Sequence, residues 1–176
     1  MTEPEVSLSV AMHYIQSGKT REDIAVSIDG AHIRTKGTLH FDIVDFMKEN
    51  GYVKCDTSGK WQGKYQNAKY SPCIAVSSTP GEGDVVIRLV DGRVLQVESK
   101  KFKSGNGGEY PAMHEAIGQL MTGCPDERIP CVAVPYSQKS CDLATSWLKR
   151  ERMQKAGICF LLVHSDGHVE LMEGDQ

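Results

Sequence analysis

What the chain lacks narrows the field before anything it contains. No stretch of its 176 residues holds the run of about 20 apolar side chains that a bilayer-crossing helix needs. The opening, MTEPEVSLSV, is acidic where a secretory signal is basic and then apolar, so the cytoplasm is the expected address and no membrane partner is expected. The six cysteines (Cys55, Cys73, Cys124, Cys131, Cys141 and Cys159) form no CxxC pair. That argues against a compact zinc site and against a disulfide scaffold, and reduced, mostly buried thiols are expected. The six histidines include no HExxH, and there is no GxSxG, no GxxxxGK and no dinucleotide fingerprint. Acyl transfer, nucleotide hydrolysis and redox chemistry therefore have no support. A basic surplus is missing too: the net charge is -3, which does not announce a strong nucleic-acid binder. An enzyme that must release its product needs only a local basic patch.

What is present is ordinary for a folded domain. Apolar residues make up 40% and charged residues 24%, close to the soluble average, and the length suits one core. No repeat, low-complexity tract or long linker divides the chain. We expect a helical or mixed extension over 1–36 joined to a core over 37–176, compact as a whole. Leu8 to Ile15 has the look of a helix, Thr20 with Asp23 resembles a weak capping box, and 24–35 is ambiguous between helix and hairpin. Leu39 to Asn50 carries its apolar residues at helical spacing and stops at Gly51; its acids Asp42, Asp45 and Glu49 read as a solvated face. Between Cys55 and Tyr70 glycines, lysines and aromatics (Trp61, Tyr65, Tyr70) suit a loop or an edge hairpin. Further on, strands are expected at 84–90 and 93–100, a Gly-rich loop at 104–108, a helix from Tyr110 to Met121 and a strand from Ile129 to Val134. A helix from Cys141 to Lys155 and strands at 158–164 and 169–171 complete the order. It implies an α/β fold with a mixed central sheet flanked by helices.

The hairpin at 84–100 carries a register argument. If Val90, Asp91 and Gly92 form a three-residue loop with Gly92 left-handed, Leu89 pairs with Arg93 and Asp84 stands opposite Glu98. Val85, Ile87, Leu89, Leu95 and Val97 then share an apolar face, and Asp84, Glu98 and Lys100 share the other. A two-residue loop at Asp91-Gly92 would mix polar and apolar on both faces, so the hydrophobic pattern selects the first register. Two opposed carboxylates repel unless a cation lies between them, and at least one pKa should be raised.

These residues resemble the PD-(D/E)XK, or restriction-endonuclease-like, nuclease superfamily: GEGD at Gly81 to Asp84, VLQVESK ending at Lys100, and EAIGQL at Glu115 to Leu120. Gly83 stands where the first motif usually has proline. The resemblance implies a restriction-endonuclease-like core and divalent-metal-dependent hydrolysis of phosphodiester bonds, in DNA by preference. It assigns Mg, or Mn in its place, to Asp84, Glu98 and the backbone carbonyl of Ser99. Lys100 would assist the attacking water, and Gln119, Lys101 and Lys103 would contact nucleic acid. It leaves room for a homodimer or a larger defence, repair or phage assembly. The competing expectation is the same fold without turnover, a nucleic-acid-binding or assembly subunit.

Overall fold

The computed structural model describes residues 1–79, 81, 83–102 and 107–174. In chain order the elements are α1 (Glu3–Gln16), β1 (Ile24–Ser27), α2 (Gly30–Ile33), β2 (Arg34–Thr35), β3 (Thr38–Leu39), α3 (Ile43–Glu49), β4 (Tyr52–Lys54), β5 (Gly63–Asn67) and β6 (Ile74–Ser77). They continue as β7 (Val85–Arg88), β8 (Val94–Ser99), α4 (Glu109–Gly123), β9 (Ile129–Pro135), α5 (Gln138–Leu148), α6 (Glu151–Lys155), β10 (Cys159–Val163) and β11 (Val169–Met172). Nine strands form one mixed sheet in the order β11-β10-β9-β8-β7-β1-β6-β5-β4, and β2 pairs with β3 apart from it.

Helices cover both faces of this sheet. Inward side chains of α1 and α3 join Val85, Ile87, Leu95 and Val97 in one core. On the other face Met113, Ala116 and Leu120 of α4 and Ala144 and Leu148 of α5 pack on Val132, Val134, Phe160 and Leu162. Along β9 and β10 successive residues thus enter opposite cores, as strand periodicity requires. This double coverage explains why the two strands read as unbroken apolar runs. Among the described residues no helix is long and apolar enough to cross a membrane.

The segment 1–36, expected as an extension, supplies a buried helix and an interior strand to the sheet. Helix α1 starts at Thr2 rather than near Leu8, through a capping box with Glu5, and its Val6, Leu8, Val10 and Ile15 are nearly inaccessible. The expected cap at Thr20 is different: its hydroxyl accepts from the Glu22 N–H ahead of a strand, not a helix. The β-branched run Ile24-Ala25-Val26 goes into the sheet, with β6 parallel on one side and β7 antiparallel on the other. Asp42 proves to be the N-cap of α3, accepting from the Asp45 N–H at 3.1 Å, so this helix is shorter than expected. The edge hairpin around Trp61 is β4–β5.

Two further expectations are corrected. Helix 141–155 is broken at Arg150, whose backbone is extended. Leu148 and Met153 both pack on the α4–α5 core, yet five residues of unbroken helix would turn them about 140° apart. The break rephases them. Cys131 and Cys159 are not free thiols. They are register partners on neighbouring strands, with Cα atoms 4.7 Å apart, and are joined as a disulfide. Cys55 is exposed and Cys73, Cys124 and Cys141 are half-buried, so the remaining thiols are not deep in the core either.

Candidate active site

The β7–β8 turn sets the geometry. Leu89 N–H donates to Arg93 O at 2.8 Å, Gly92 N–H donates back to Leu89 O at 3.0 Å, and Gly92 has φ +89°. This is the three-residue loop with a left-handed glycine. Val85 accordingly pairs with Val97, Ile87 with Leu95 and Arg88 with Val94. The ladder ends at Val85–Val97; just beyond it the Asp84 N–H also bonds Val97 O, and the Asp84 and Glu98 carboxyl groups meet there.

Asp84 is fixed from both sides. Its N–H donates to Val97 O at 2.9 Å, its carbonyl accepts from Ser27 N–H at 2.8 Å, and its Oδ2 accepts from Ser99 N–H at 2.8 Å. Gly83 precedes it with φ +126°, a conformation closed to proline, and a Cβ built there would lie 2.8 Å from Gln96 Cγ. Glycine at position 83 is therefore what this close backbone approach demands.

The two carboxyl groups share a hydrogen bond. Burial pushes Glu98 up to about 7, with the negative charge of Asp84 adding to it, and burial raises Asp84 against the opposing pull of the Ser99 N–H. Lys100 Nζ lies 3.3 Å from Glu115 Oε1 of α4, and the lysine is only 9% exposed. Its charge favours the ionised forms of both acids. Gln119 lines the same open recess as Asp84 and Glu98, about 450 Å³, together with Ser27, Asp29 and Thr79. Here the ends of β1, β6, β7 and β8 meet the flank of α4.

Most of the residues singled out in the sequence thus converge. Asp84, Glu98 and Gln119 line one recess; Ser99 joins them through its N–H bond to Asp84 and Lys100 through its charge, both from outside the lining, and Lys101 is exposed and outside it as well. Lys103 and most of the Gly-rich loop lie outside the described residues. Two contributors escaped the sequence reading. Glu3, in the first turn of α1, adds negative charge that raises both acids and lines a small cavity with Asp84 while pairing with His32 at 3.3 Å. Asp29 borders the recess from the turn after β1. The capping box at Thr2 and Glu5 was the available signal for Glu3, since it starts the helix beside that acid.

The donor set fits a divalent cation of the magnesium class. Two carboxyl groups are held together under cover with both pKa values raised, and the charge of Asp84 adds to the rise of Glu98; a cation between them would relieve that cost. Because Lys100 N–H turns to Ala133 O, strand alternation turns the Ser99 N–H and carbonyl the other way, towards Asp84. Among the described residues no third Asp, Glu, His or Cys completes a ligand cluster, so water or phosphate oxygens would have to fill the remaining positions. The chain matches no protein-family model, no curated protein and no solved structure.

Proposed function

We propose that this protein is a divalent-metal-dependent nuclease of the PD-(D/E)XK type that hydrolyses phosphodiester bonds, by family preference in DNA. The observation that carries the reading is the register of β7 and β8. The pairing ends next to Asp84 and Glu98, which line an open recess, and Lys100 follows Glu98 two residues along the chain. The order of elements supports a restriction-endonuclease-like core: α1, β1, β7, β8, α4 and β9, with the segment 28–84 inserted between the first two strands.

In this reading Asp84, Glu98 and the Ser99 carbonyl hold Mg or Mn, which when bound polarises the scissile phosphate and acidifies a water. The protein's own groups do the rest. Lys100, fixed between β8 and α4, orients the nucleophile and offsets the charge that grows on the phosphoryl oxygens. Glu115 positions Lys100 through their ion pair. Gln119 is placed to hydrogen-bond the substrate backbone.

The Lys100–Glu115 pair also suits a second reading, a nucleic-acid-binding subunit without turnover, in which the lysine merely ties β8 to α4. Plasmid cleavage separates the two. With Mg or Mn the wild type should cut, and with Ca it should bind without cutting. Asp84→Ala, Glu98→Ala and Lys100→Ala should each lower cleavage by at least about a hundredfold. Variants that cut at wild-type rates overturn the site, and a folded wild type that binds DNA but never cuts favours the second reading.

A further inference from the structure

Behind the wall of the Asp84 recess lies a larger one, of about 720 Å³, in the size class of ligand sites. The partition is one turn of chain: Asp29 lines the first recess and Gly30 the second. The second is walled by Trp61, Phe41, Leu39 and Val44, of which Leu39 is 46% and Val44 39% exposed. Arg34 and Lys60 stand on its border.

Trp61 is presented on a fixed loop. Asp56 accepts from Lys64 N–H at 2.7 Å and from Ser58 Oγ at 2.8 Å, Lys54 Nζ donates to Gly59 O at 2.7 Å, and the Trp61 carbonyl accepts from Tyr65 OH at 2.6 Å. These bonds hold an otherwise irregular segment and leave the indole half-buried against the recess. An aromatic held this way offers a stacking surface at little entropic cost.

The charges are matched to a polyanion with a polar heterocycle. Lys54 is tied to Asp56 and Lys64 to Asp23, whereas Arg34 and Lys60 have no acidic partner among the described residues. The adjoining hairpin, Arg34 to His40, also carries Lys36 and contains no acid. Of the two acids at the recess, Asp42 is occupied in capping α3, and Asp45 is left as an acceptor for an exocyclic amino group.

We propose that this recess takes an unpaired nucleobase from the strand whose phosphate lies at Asp84 and Glu98. The base stacks on Trp61, Asp45 accepts from its amino group, and Arg34 and Lys60 neutralise flanking phosphates. The inference rests on the nuclease reading and narrows its substrate to single-stranded or unpaired segments, because a base within a duplex has neither face free for the indole.

The chain has two tryptophans, so Trp147→Phe leaves Trp61 as the only indole reporter. In calcium, a single-stranded oligodeoxynucleotide of about ten nucleotides should quench that emission, and a blunt duplex of the same sequence should not. Trp61→Ala should weaken single-strand binding about tenfold, and Trp61→Phe should retain most of it. Arg34→Ala with Lys60→Ala should flatten the salt dependence by up to about two phosphate contacts. Single-strand binding that leaves Trp61 emission unchanged, equal quenching by duplex, or full affinity in Trp61→Ala overturns the proposal. Should Trp61→Ala fail to fold, the quenching contrast and the double variant decide. Quenching without metal-dependent cleavage sinks the nuclease reading and spares the recess; cleavage without quenching does the reverse.

Discussion

The β7–β8 hairpin carries acid and base at both of its ends, under opposite conditions. At the turn, Asp91 bonds Arg93 in open solvent, and the guanidinium holds the Asp91 carboxyl below its ordinary range. At the other end, Asp84 and Glu98 are pressed together under cover and both rise above theirs. The residue types are similar, and burial reverses the sign. Each end also has a glycine at positive φ, Gly92 with nothing within 4 Å of an added Cβ and Gly83 with Gln96 Cγ at 2.8 Å. One end is a connection; the other is a tightly fitted placement of charge.

The comparison can be tested by changing matched residues at the two ends. The larger difference should come from the glycines. Gly83→Ala adds a clash to an unfavourable backbone angle and should cost about 2–4 kcal/mol, while displacing Asp84. Gly92→Ala meets only the backbone angle and should cost about 1 kcal/mol. Chemical denaturation of both variants reads this directly, and equal losses would remove the asymmetry.

The acids come next. Because the folded pKa of Glu98 is raised to about 7, the metal-free native state holds a proton that the unfolded chain has released. Stability should therefore be full below the ordinary glutamate range and decline as pH rises from there to about 7. Glu98→Gln should remove its share of that decline, leaving only the part due to Asp84, and make the metal-free protein more stable at pH 8 by roughly 1–2 kcal/mol, after discounting for its partial exposure. A denaturation series across pH in a chelator would reveal it, and a wild-type profile flat from pH 5 to 8 contradicts the raised value.

The smallest effect belongs to the turn. Asp91 has its pKa lowered, so its contribution is present at neutral pH and is lost only in acid, as pH falls through the folded value. As an exposed pair, Asp91 and Arg93 should tolerate Asp91→Asn with no measurable shift in thermal midpoint at pH 7. A clear loss would show that the turn, too, depends on its charges.

The hairpin was legible because its faces differ: only one register keeps Val85, Ile87, Leu95 and Val97 together, and that register brings the strand ends carrying Asp84 and Glu98 side by side. The strands from Ile129 onward were legible through their unbroken apolar runs. What could not be read were the long-range partnerships. Nothing local tells Ile24–Ser27 that it will lie between β6 and β7, or Cys131 that it will face Cys159. The same holds for Glu3, whose proximity to Asp84 depends on how α1 crosses the sheet. The aromatics between Cys55 and Tyr70 suited pinning a loop to the core better than stacking on a base, and Trp61 does pack against the core while also lining the recess beside Arg34 and Lys60.

The interior position of β1 also affects the chain while it is being made. Ile24–Ser27 leaves the ribosome before Ile74–Ser77 and before Val85 and Val86, the segments that will flank it on both sides. During that interval an apolar strand has neither neighbour, and the two halves of the sheet it will join are not yet connected. Unpaired strand edges of this kind are where aggregation starts. Recovery of soluble protein on expression should therefore depend on how quickly synthesis proceeds from β1 to β7 and on whether a chaperone shields the waiting strand.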